Sequence, residues 1–361
     1  MSEEIYRKLA EVLDTLPNGF PATESGVEIK LLKKIFAPEQ AELFCDLRLT
    51  FETAEQIAQR TGRPLEGLEA KLREMGRDGQ LFAIDLGGTW IFKMLPWAFG
   101  IYEFQLERMD KEFVELSEAF WPVYGKQFFS QTPQMMQVLP IEKEIAVAQE
   151  ALPYERVSTL IGQNQSFWVF DCICKKEKGM LGNPCKKPLQ VCLAMAPIPD
   201  VFKKMTYGKV LTREEAYALL KETEEAGLVH LTGNQQSGHF FICNCCGCCC
   251  GVLSGINKMG IPAGKVINSH YYAEIDPEKC LSCGLCADER CQVKAIKEGE
   301  ESYIIDKERC IGCGLCITTC QGEAISLVHK AQEEIESPPI NEEAWYAERG
   351  RRRGVDFSVY K

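Results

Sequence analysis

Long apolar runs, histidines and an excess of positive charge are all scarce in this sequence of 361 residues. The longest apolar region, residues 90–101, is broken by Lys93 and Pro96 and falls short of the ~20 apolar residues that cross a bilayer, so no membrane span is expected. The net charge of −11 repels nucleic acid phosphates and suits docking against a basic protein partner. The acidic start lacks a secretory pattern, which predicts a cytoplasmic location.

Templates for nucleotide or flavin binding are also missing. Gly264-Lys265 lacks the upstream glycine of a phosphate-binding loop, and Gly312-x-Gly314 lies inside a cysteine motif rather than after a strand. His239 precedes Cys243 by four residues and is a conceivable iron ligand, but a histidine at a strand edge is the favoured interpretation. The histidines have no mutual spacing that is typical of a metal site: His230, His239, His270 and His329.

Cysteine is the abundant residue, and its distribution is uneven. Of the 19 cysteines, only Cys45 precedes residue 171, and the other 18 lie between Cys172 and Cys320. Disulfides are rare in the cytosol, so such clustering indicates metal binding or redox chemistry. Cys45, in an apolar helical segment, is interpreted as a small packing residue.

The strongest motif is a repeat of about 30 residues within segment 269–330. In each half, two residues separate each of three successive cysteines from the next, which is called x2, x2 spacing below. This spacing lets three thiolates reach three irons of a cubane, while the thiolate for the fourth iron comes from the other half. These residues resemble the bacterial dicluster ferredoxin. The resemblance implies two [4Fe-4S] clusters, one held by Cys280, Cys283, Cys286 and Cys320, the other by Cys310, Cys313, Cys316 and Cys291.

The sequence departs from the ferredoxin pattern in two ways. Four residues separate Cys286 from Cys291 where the family has three, and Gln292 and Gln321 replace the proline that normally follows the fourth cysteine. We expect a bulge to absorb the extra residue, and the lost proline to affect loop stiffness more than ligation.

The middle segment carries ten further candidate metal ligands: Cys172, Cys174, Cys185, Cys192, Cys243, Cys245, Cys246, Cys248, Cys249 and Cys250. Cys243, Cys246 and Cys249 repeat the x2, x2 spacing and predict a third cluster. Neighbouring cysteines of an extended chain point to opposite sides, which predicts a second site. Ten thiols exceed the eight ligands of two cubanes, so two are left as structural thiols, as part of a larger cluster or as a reactive dithiol. Tetrahedral zinc is the alternative.

The remaining elements predict the domain organisation. Thr53 and Gln56 form a capping box, and two helices followed by a hairpin indicate a winged-helix-like domain. Its six basic and six acidic residues over 53–93 favour protein docking over DNA binding. Aromatic helices over 101–150 read as a connector with a buried core. Thr212 with Glu215, Gly227 and three apolar runs indicate an α/β middle domain.

The middle motifs resemble those of a family of large iron-sulfur proteins of anaerobes: DCICKK at 171–176, PLQVCL at 188–193 and ICNCCGCCC at 242–250. This resemblance implies electron carriage between redox enzymes in anaerobic metabolism. We therefore predict a multi-domain α+β protein divided into a winged-helix-like domain (1–100), a connector (101–150), a cysteine-rich domain (151–268), a dicluster ferredoxin domain (269–330) and a solvated tail (331–361).

The predicted function is that of a non-catalytic electron-transfer subunit of an oxidoreductase complex, with two ferredoxin clusters and one or two more in the middle. Two alternatives stay open. The crowded middle cysteines suit a reductase with its own active centre, and the winged helix suits a redox-sensing regulator of transcription.

Overall fold

The computed structural model describes residues 2–141 and 155–361. The chain divides into two compact units. Unit 1 comprises Met1–Gln131, Met180–Asn183 and Tyr346–Lys361, and unit 2 comprises Thr132–Gly179 and Pro184–Trp345. Helices and mixed sheets make this an α+β protein, as predicted. In the described part of the chain, no helix is long and apolar enough to cross a membrane. The finer division into five segments stays a prediction.

Unit 1 is mainly helical. The chain runs through α1 (Ser2–Thr15), α2 (Val27–Ile35), α3 (Pro38–Phe44), α4 (Ala54–Thr61), α5 (Leu68–Arg77), the hairpin β1 (Phe82–Leu86) and β2 (Thr89–Lys93), the short α6 (Tyr102–Phe104) and α7 (Lys111–Phe129). Strands β1 and β2 pair antiparallel, with Ala83 opposite Phe92.

The capping box at Thr53 is confirmed. The Gln56 amide N–H donates to Thr53 Oγ1 and the Thr53 N–H donates to Gln56 Oε1 at 2.8 Å, which satisfies two free donors at the start of α4. The order α4, α5, β1, β2 fits the predicted helices and hairpin, while the winged-helix assignment itself stays a prediction.

Aromatic side chains of α7 form part of the core of unit 1. Phe113, Phe120, Phe128 and Phe129 are buried, and the Phe120 ring lies 4.9 Å from that of Phe20. Two other aromatic residues of the predicted connector are not fully buried: Phe104 is exposed and Trp121 is half-buried. Residues 142–150 of the predicted connector lie outside the described residues.

Unit 2 is built on a seven-stranded sheet in the order β6-β4-β5-β8-β7-β3-β9, antiparallel except for the β3–β9 pair. Its strands are β3 (Met136–Leu139), β4 (Ser166–Asp171), β5 (Gln190–Ala196), β6 (Lys209–Leu211), β7 (Val229–Gly233), β8 (Phe241–Cys245) and β9 (Ile267–Asn268). Its helices are α8 (Val157–Gly162), α9 (Ile173–Met180), α10 (Arg213–Glu225), α11 (Gly251–Asn257) and α12 (Ala263–Val266).

The predicted boundaries of α10 are confirmed. Thr212 and Glu215 form the second capping box, and Gly227 follows the helix with a φ of 72°, the left-handed conformation that glycine adopts without strain.

Two antiparallel pairs complete unit 2. Strand β10 (Tyr271–Ile275) pairs with β13 (Ile325–His329), and β11 (Ile296–Glu298) pairs with β12 (Tyr303–Ile305). Each half of the sequence repeat thus contributes one strand to each pair, so the two cysteine loops meet across the repeat.

The interpretation of residues 331–361 as a solvated tail is wrong at α13 (Glu342–Arg353). Arg349 is 1% exposed, and its guanidinium donates to the carbonyl oxygens of Pro17 (3.1 Å), Phe128 (2.7 Å) and Gln131 (3.0 Å). A buried cation needs such acceptors, because an unpaired one loses its hydration without replacement. The charged run at 349–353 misled the sequence interpretation.

The Arg349→Met substitution is expected to weaken the packing of α13 in unit 1 by about 3 kcal/mol, because the buried carbonyl oxygens that accept from Arg349 lose their donor. Amide hydrogen exchange in α13 should accelerate by about 100-fold. The control is Arg351→Met on the same helix, where the side chain is 70% exposed. Equal exchange in the two variants would contradict the role given to Arg349.

Candidate metal centre

The first candidate site is a cavity at one end of the β10–β13 pair. Four cysteines line it: Cys280, Cys283, Cys286 and Cys320. The first three come from the loop after β10, and Cys320 comes from the loop before β13. Because Ile275 pairs with Ile325 in these two strands, the two loops converge. This is the set that the ferredoxin resemblance implies for one cluster.

The second candidate site is a cavity beside the β11–β12 pair. It is lined by the reciprocal set: Cys310, Cys313, Cys316 and Cys291. Gly312 permits the tight turn of its loop, because a Cβ there would lie 2.2 Å from the carbonyl oxygen of Tyr271. Each cavity therefore offers four thiols and mostly apolar walls, which suits a [4Fe-4S] cluster.

Backbone amides point at three of these sulfurs. The N–H groups of Ala295, Ala324 and Ala273 donate to Cys291 (3.1 Å), Cys320 (3.3 Å) and Cys310 (3.4 Å). The first two bonds span the same four residues in the two halves of the repeat. Such donors stabilise thiolates and help to set the potential of a bound cluster.

The two cavities differ in exposure. Cys283 is exposed, and backbone N–H groups of Tyr303 and Ser282 lower the pKa of Cys280. In the second cavity burial raises the pKa of Cys313 to about 12 and that of Cys316 well above the usual thiol value. Thiols this deeply buried require a metal to hold them as thiolates.

The extra residue between Cys286 and Cys291 is absorbed in a π-helical turn, Cys286–Arg290, rather than in a β-bulge. Its closing bond runs from the N–H of Cys291 to the carbonyl of Cys286 at 3.0 Å. The other half has a 3₁₀ turn, Ile317–Thr319, at the same place. A π turn accommodates one residue more per hydrogen-bonded ring and therefore leaves Cys291 in position.

Arg290, the last residue of that π turn, is buried and joins the ferredoxin loops to α10. Its guanidinium donates to the carbonyl oxygens of Glu224 (3.0 Å) and Glu225 (2.9 Å) at the end of the helix. It also donates to Leu315 O (3.1 Å) and Thr318 Oγ1 (2.7 Å). A cation is favourable at the carboxyl end of a helix dipole. Sequence reasoning missed Arg290, although the extra residue marked its loop.

Gln292 has a contact that proline cannot make. Its Oε1 accepts from the Gly247 N–H at 2.9 Å, and its carbonyl accepts from Asn257 Nδ2 at 2.9 Å. Residue 247 must be glycine at this approach, because a Cβ would lie 2.1 Å from the Gln292 carbonyl oxygen. The departure from the ferredoxin pattern therefore fastens the ferredoxin loop to the middle cysteines.

The ten middle cysteines separate into two groups. The first consists of Cys185, Cys246, Cys248 and Cys249, whose sulfurs all lie within 4.8 Å of one another. Cys248 Sγ is 3.3 Å from Cys246 Sγ and 3.5 Å from Cys249 Sγ, while Cys185 Sγ is 3.7 Å from both Cys246 Sγ and Cys248 Sγ.

The second group is a chain of six thiols, two of them buried and four half-buried: Cys174, Cys172, Cys192, Cys243, Cys245 and Cys250. Hydrogen bonds from the thiols of Cys174 and Cys192 hold the pKa of Cys172 well below its usual range, and those from Cys192 and Cys245 lower the pKa of Cys243 to about 5. Cys245 also bonds to Cys250. Buried Lys175 lies near Cys172 and supplies a compensating positive charge.

This division corrects the predicted cluster triplet. Cys243 belongs to the six-thiol chain, whereas Cys246 and Cys249 belong to the four-thiol group. The alternation expected of an extended chain holds only within β8, where Cys243 and Cys245 share a face. Residues 247–249 form a turn, so the adjacent Cys248 and Cys249 reach the same site.

A buried polar network holds β8 from its other face. Asn244 is 1% exposed; its Oδ1 lies 2.6 Å from His230 Nδ1, and its Nδ2 donates to Val191 O at 2.6 Å. Thr223 Oγ1 donates to the same Oδ1 at 3.1 Å. These bonds fix the strand that presents Cys243 and Cys245, a role that the sequence pattern did not reveal.

The other singled-out residues lie in protein cores. His239 is buried just before β8, with Nδ1 3.2 Å from Thr232 Oγ1, and burial lowers its pKa to about 4. His270 pairs with Glu155 at 2.8 Å. Cys45 is buried, which raises its pKa to about 11, as suits a packing residue.

Comparison with known proteins agrees with this chemistry. Residues 303–326 match the family model of the 4Fe-4S binding domain. That span contains four of the predicted ligands: Cys310, Cys313, Cys316 and Cys320. A search of curated proteins found no match for the chain. The matched domain, together with the two cavities that are each lined by four cysteines, identifies an iron-sulfur protein with the capacity for electron transfer.

The Gln292→Leu substitution is expected to free the Gly247 amide, because it removes the acceptor of a hydrogen bond worth ~1 kcal/mol. Hydrogen exchange at Gly247 should accelerate by about fivefold. Gln321→Leu is the matched control, since Gln321 occupies the equivalent place in the other half and is exposed. An unchanged rate of hydrogen exchange at Gly247 in Gln292→Leu would show that this hydrogen bond does not hold the ferredoxin loop against the middle cysteines.

Proposed function

We propose that the protein relays single electrons between redox partner proteins through several iron-sulfur clusters, as a subunit of an oxidoreductase complex. The observation that carries this proposal is the pair of cavities, each lined by four cysteines in a three-plus-one arrangement. The resemblance to large iron-sulfur proteins of anaerobes adds anaerobic metabolism as the setting.

In this proposal each cavity holds one [4Fe-4S] cluster. Cys280, Cys283, Cys286 and Cys320 bind the cluster of the exposed cavity, and Cys310, Cys313, Cys316 and Cys291 bind that of the buried cavity. A bound cluster supplies one-electron chemistry, and the chain supplies thiolates, N–H donors and apolar walls.

The two cavities are neighbours, which supports transfer between them. Ala273, Ile296 and Ile325 form one apolar cluster with cysteines of both sets. The sulfur of Cys286, from the exposed cavity, contributes to the raised pKa of Cys316 in the buried one. An apolar wall between two sites keeps water out and lowers the cost of rearranging charge when an electron moves.

The exposed cavity is the proposed exchange point with a partner. Cys283 is exposed, and the adjacent Leu281 is 64% exposed. Residues 271–330 contain seven basic and eleven acidic residues, a balance that steers a basic partner surface toward this end. The buried cavity then exchanges electrons with the six-thiol chain, which is proposed to hold a further cluster.

A reductase activity is the second candidate, and the six-thiol chain favours it. A cubane uses four thiolates, so two of the six sulfurs remain free for chemistry. A change in the EPR spectrum of the isolated protein on addition of a substrate would support this activity over the pure relay.

Substitution of one cysteine ligand in either cavity is expected to remove the cluster of that cavity. In anaerobically purified protein, Cys283→Ser and Cys313→Ser should each lower the iron content by about four per chain. Cys45→Ala, a buried cysteine remote in sequence from the motifs, serves as the control and should keep all its iron. Full iron content in either ligand variant would contradict the assignment.

Electron transfer to a basic one-electron acceptor protein tests the relay. The rate should fall steeply when ionic strength rises from about 0.01 M to 0.15 M, because the screening length shortens from ~30 to ~8 Å. Cys283→Ser should slow this transfer while dithionite still reduces the buried cluster. A rate that ignores both salt and this substitution would place the exchange point elsewhere.

A further inference from the structure

The four-thiol group points to a metal site of a kind that the ferredoxin cavities do not share. We propose that Cys185, Cys246, Cys248 and Cys249 together hold a single tetrahedrally coordinated metal ion, zinc, and that they do not bind a cubane. The site goes beyond the electron relay, because a zinc ion carries no electrons.

The sulfur separations carry this proposal. They are 3.3, 3.5, 3.7 and 3.7 Å for four of the six pairs, and all six lie within 4.8 Å. Zinc–sulfur bonds of ~2.3 Å in a tetrahedron place the sulfurs roughly 3.8 Å apart. In a cubane, four irons and four sulfides stand between the thiolates and hold them much farther apart. The group therefore has room for one ion.

The ferredoxin cavities provide a comparison within the same chain. Across the described residues, no other set of three or more cysteine, histidine or acidic ligand atoms lies within 4.8 Å of one another. The cysteines of the two cavities are thus spread more widely around an open space, whereas those of the four-thiol group converge on a point. The two geometries differ as a cluster site differs from a single-ion site.

Charge explains why an ion is needed. Thiolates at these distances repel one another strongly, and Cys246 and Cys249 are buried away from water. A divalent cation removes half of the charge of four thiolates. The N–H of Lys187 also donates to the sulfur of Cys185 and offsets part of the remainder.

The surroundings give the ion a structural role. All four ligands come from the protein, which closes the coordination shell in the manner of structural zinc. The ion ties Cys185 to the turn at 246–249, and that turn is held against the ferredoxin loop by the bond between Gly247 and Gln292. It therefore fixes the connection between the middle and ferredoxin segments.

Metal analysis and X-ray absorption on the full chain test the proposal. The wild-type protein is produced in medium that contains both iron and zinc and is purified without oxygen. It should hold about one zinc per chain, surrounded by four sulfurs at ~2.3 Å. Cys185→Ser and Cys248→Ser should lower the zinc content to less than half and leave iron unchanged. Cys283→Ser is the matched control and should lose iron while it keeps zinc.

These readouts separate the single-ion site from the relay. Iron lost in multiples of four from Cys185→Ser, or zinc absent from the wild type with short iron–iron distances in every site, would overturn the proposal. One iron in a four-sulfur shell, without a short iron–iron distance, would keep the single-ion geometry and replace zinc as the ion. If the variants do not fold, the wild-type zinc spectrum still decides the question.

Discussion

Repulsion between closely spaced sulfurs is the constraint on which unit 2 depends. Eighteen of the 19 cysteines lie in this unit, and only Cys248 and Cys283 among them are exposed. Thiolates packed this densely are stable only around metal cations, and a thiol without its proton or its metal is costly to bury. Folding of unit 2 and loading of its metals are therefore thermodynamically linked, and the backbone can do no more than bring each set of sulfurs to one place.

The backbone performs that task in two ways. In the ferredoxin segment, the strands of the two halves of the repeat pair with each other, β10 with β13 and β11 with β12. This pairing brings the fourth cysteine of each half to the three cysteines of the other half. In the middle segment, the ligands separate along residues 243–250: Cys243 and Cys245 of β8 and Cys250 after the turn belong to the six-thiol chain, whereas Cys246, Cys248 and Cys249 belong to the four-thiol group. Neighbouring residues thus contribute to two different groups of sulfurs.

Sequence reasoning could predict features that residues a few positions apart determine. These are the two cysteine triplets, the capping boxes at Thr53 and Thr212 and the glycine after α10. The grouping of the middle cysteines could not be predicted, since it depends on where β8 ends and on Cys185, which is 61 residues from Cys246. Arg349 was likewise misread, because its three carbonyl acceptors are remote in sequence.

The π turn at Cys286–Arg290 has a consequence for how this ferredoxin segment can be used in engineering. The last residue of that turn, Arg290, ends in a guanidinium that donates to the carbonyl oxygens of Glu224 and Glu225 in α10, outside the repeat. A fragment cut at the borders of the repeat would keep the bonds of Arg290 to Leu315 and Thr318, but it would lose its two acceptors on α10 and the Gly247 N–H that donates to Gln292. The segment is therefore not a portable module: a transplant needs α10 and the turn around Gly247 as part of the graft.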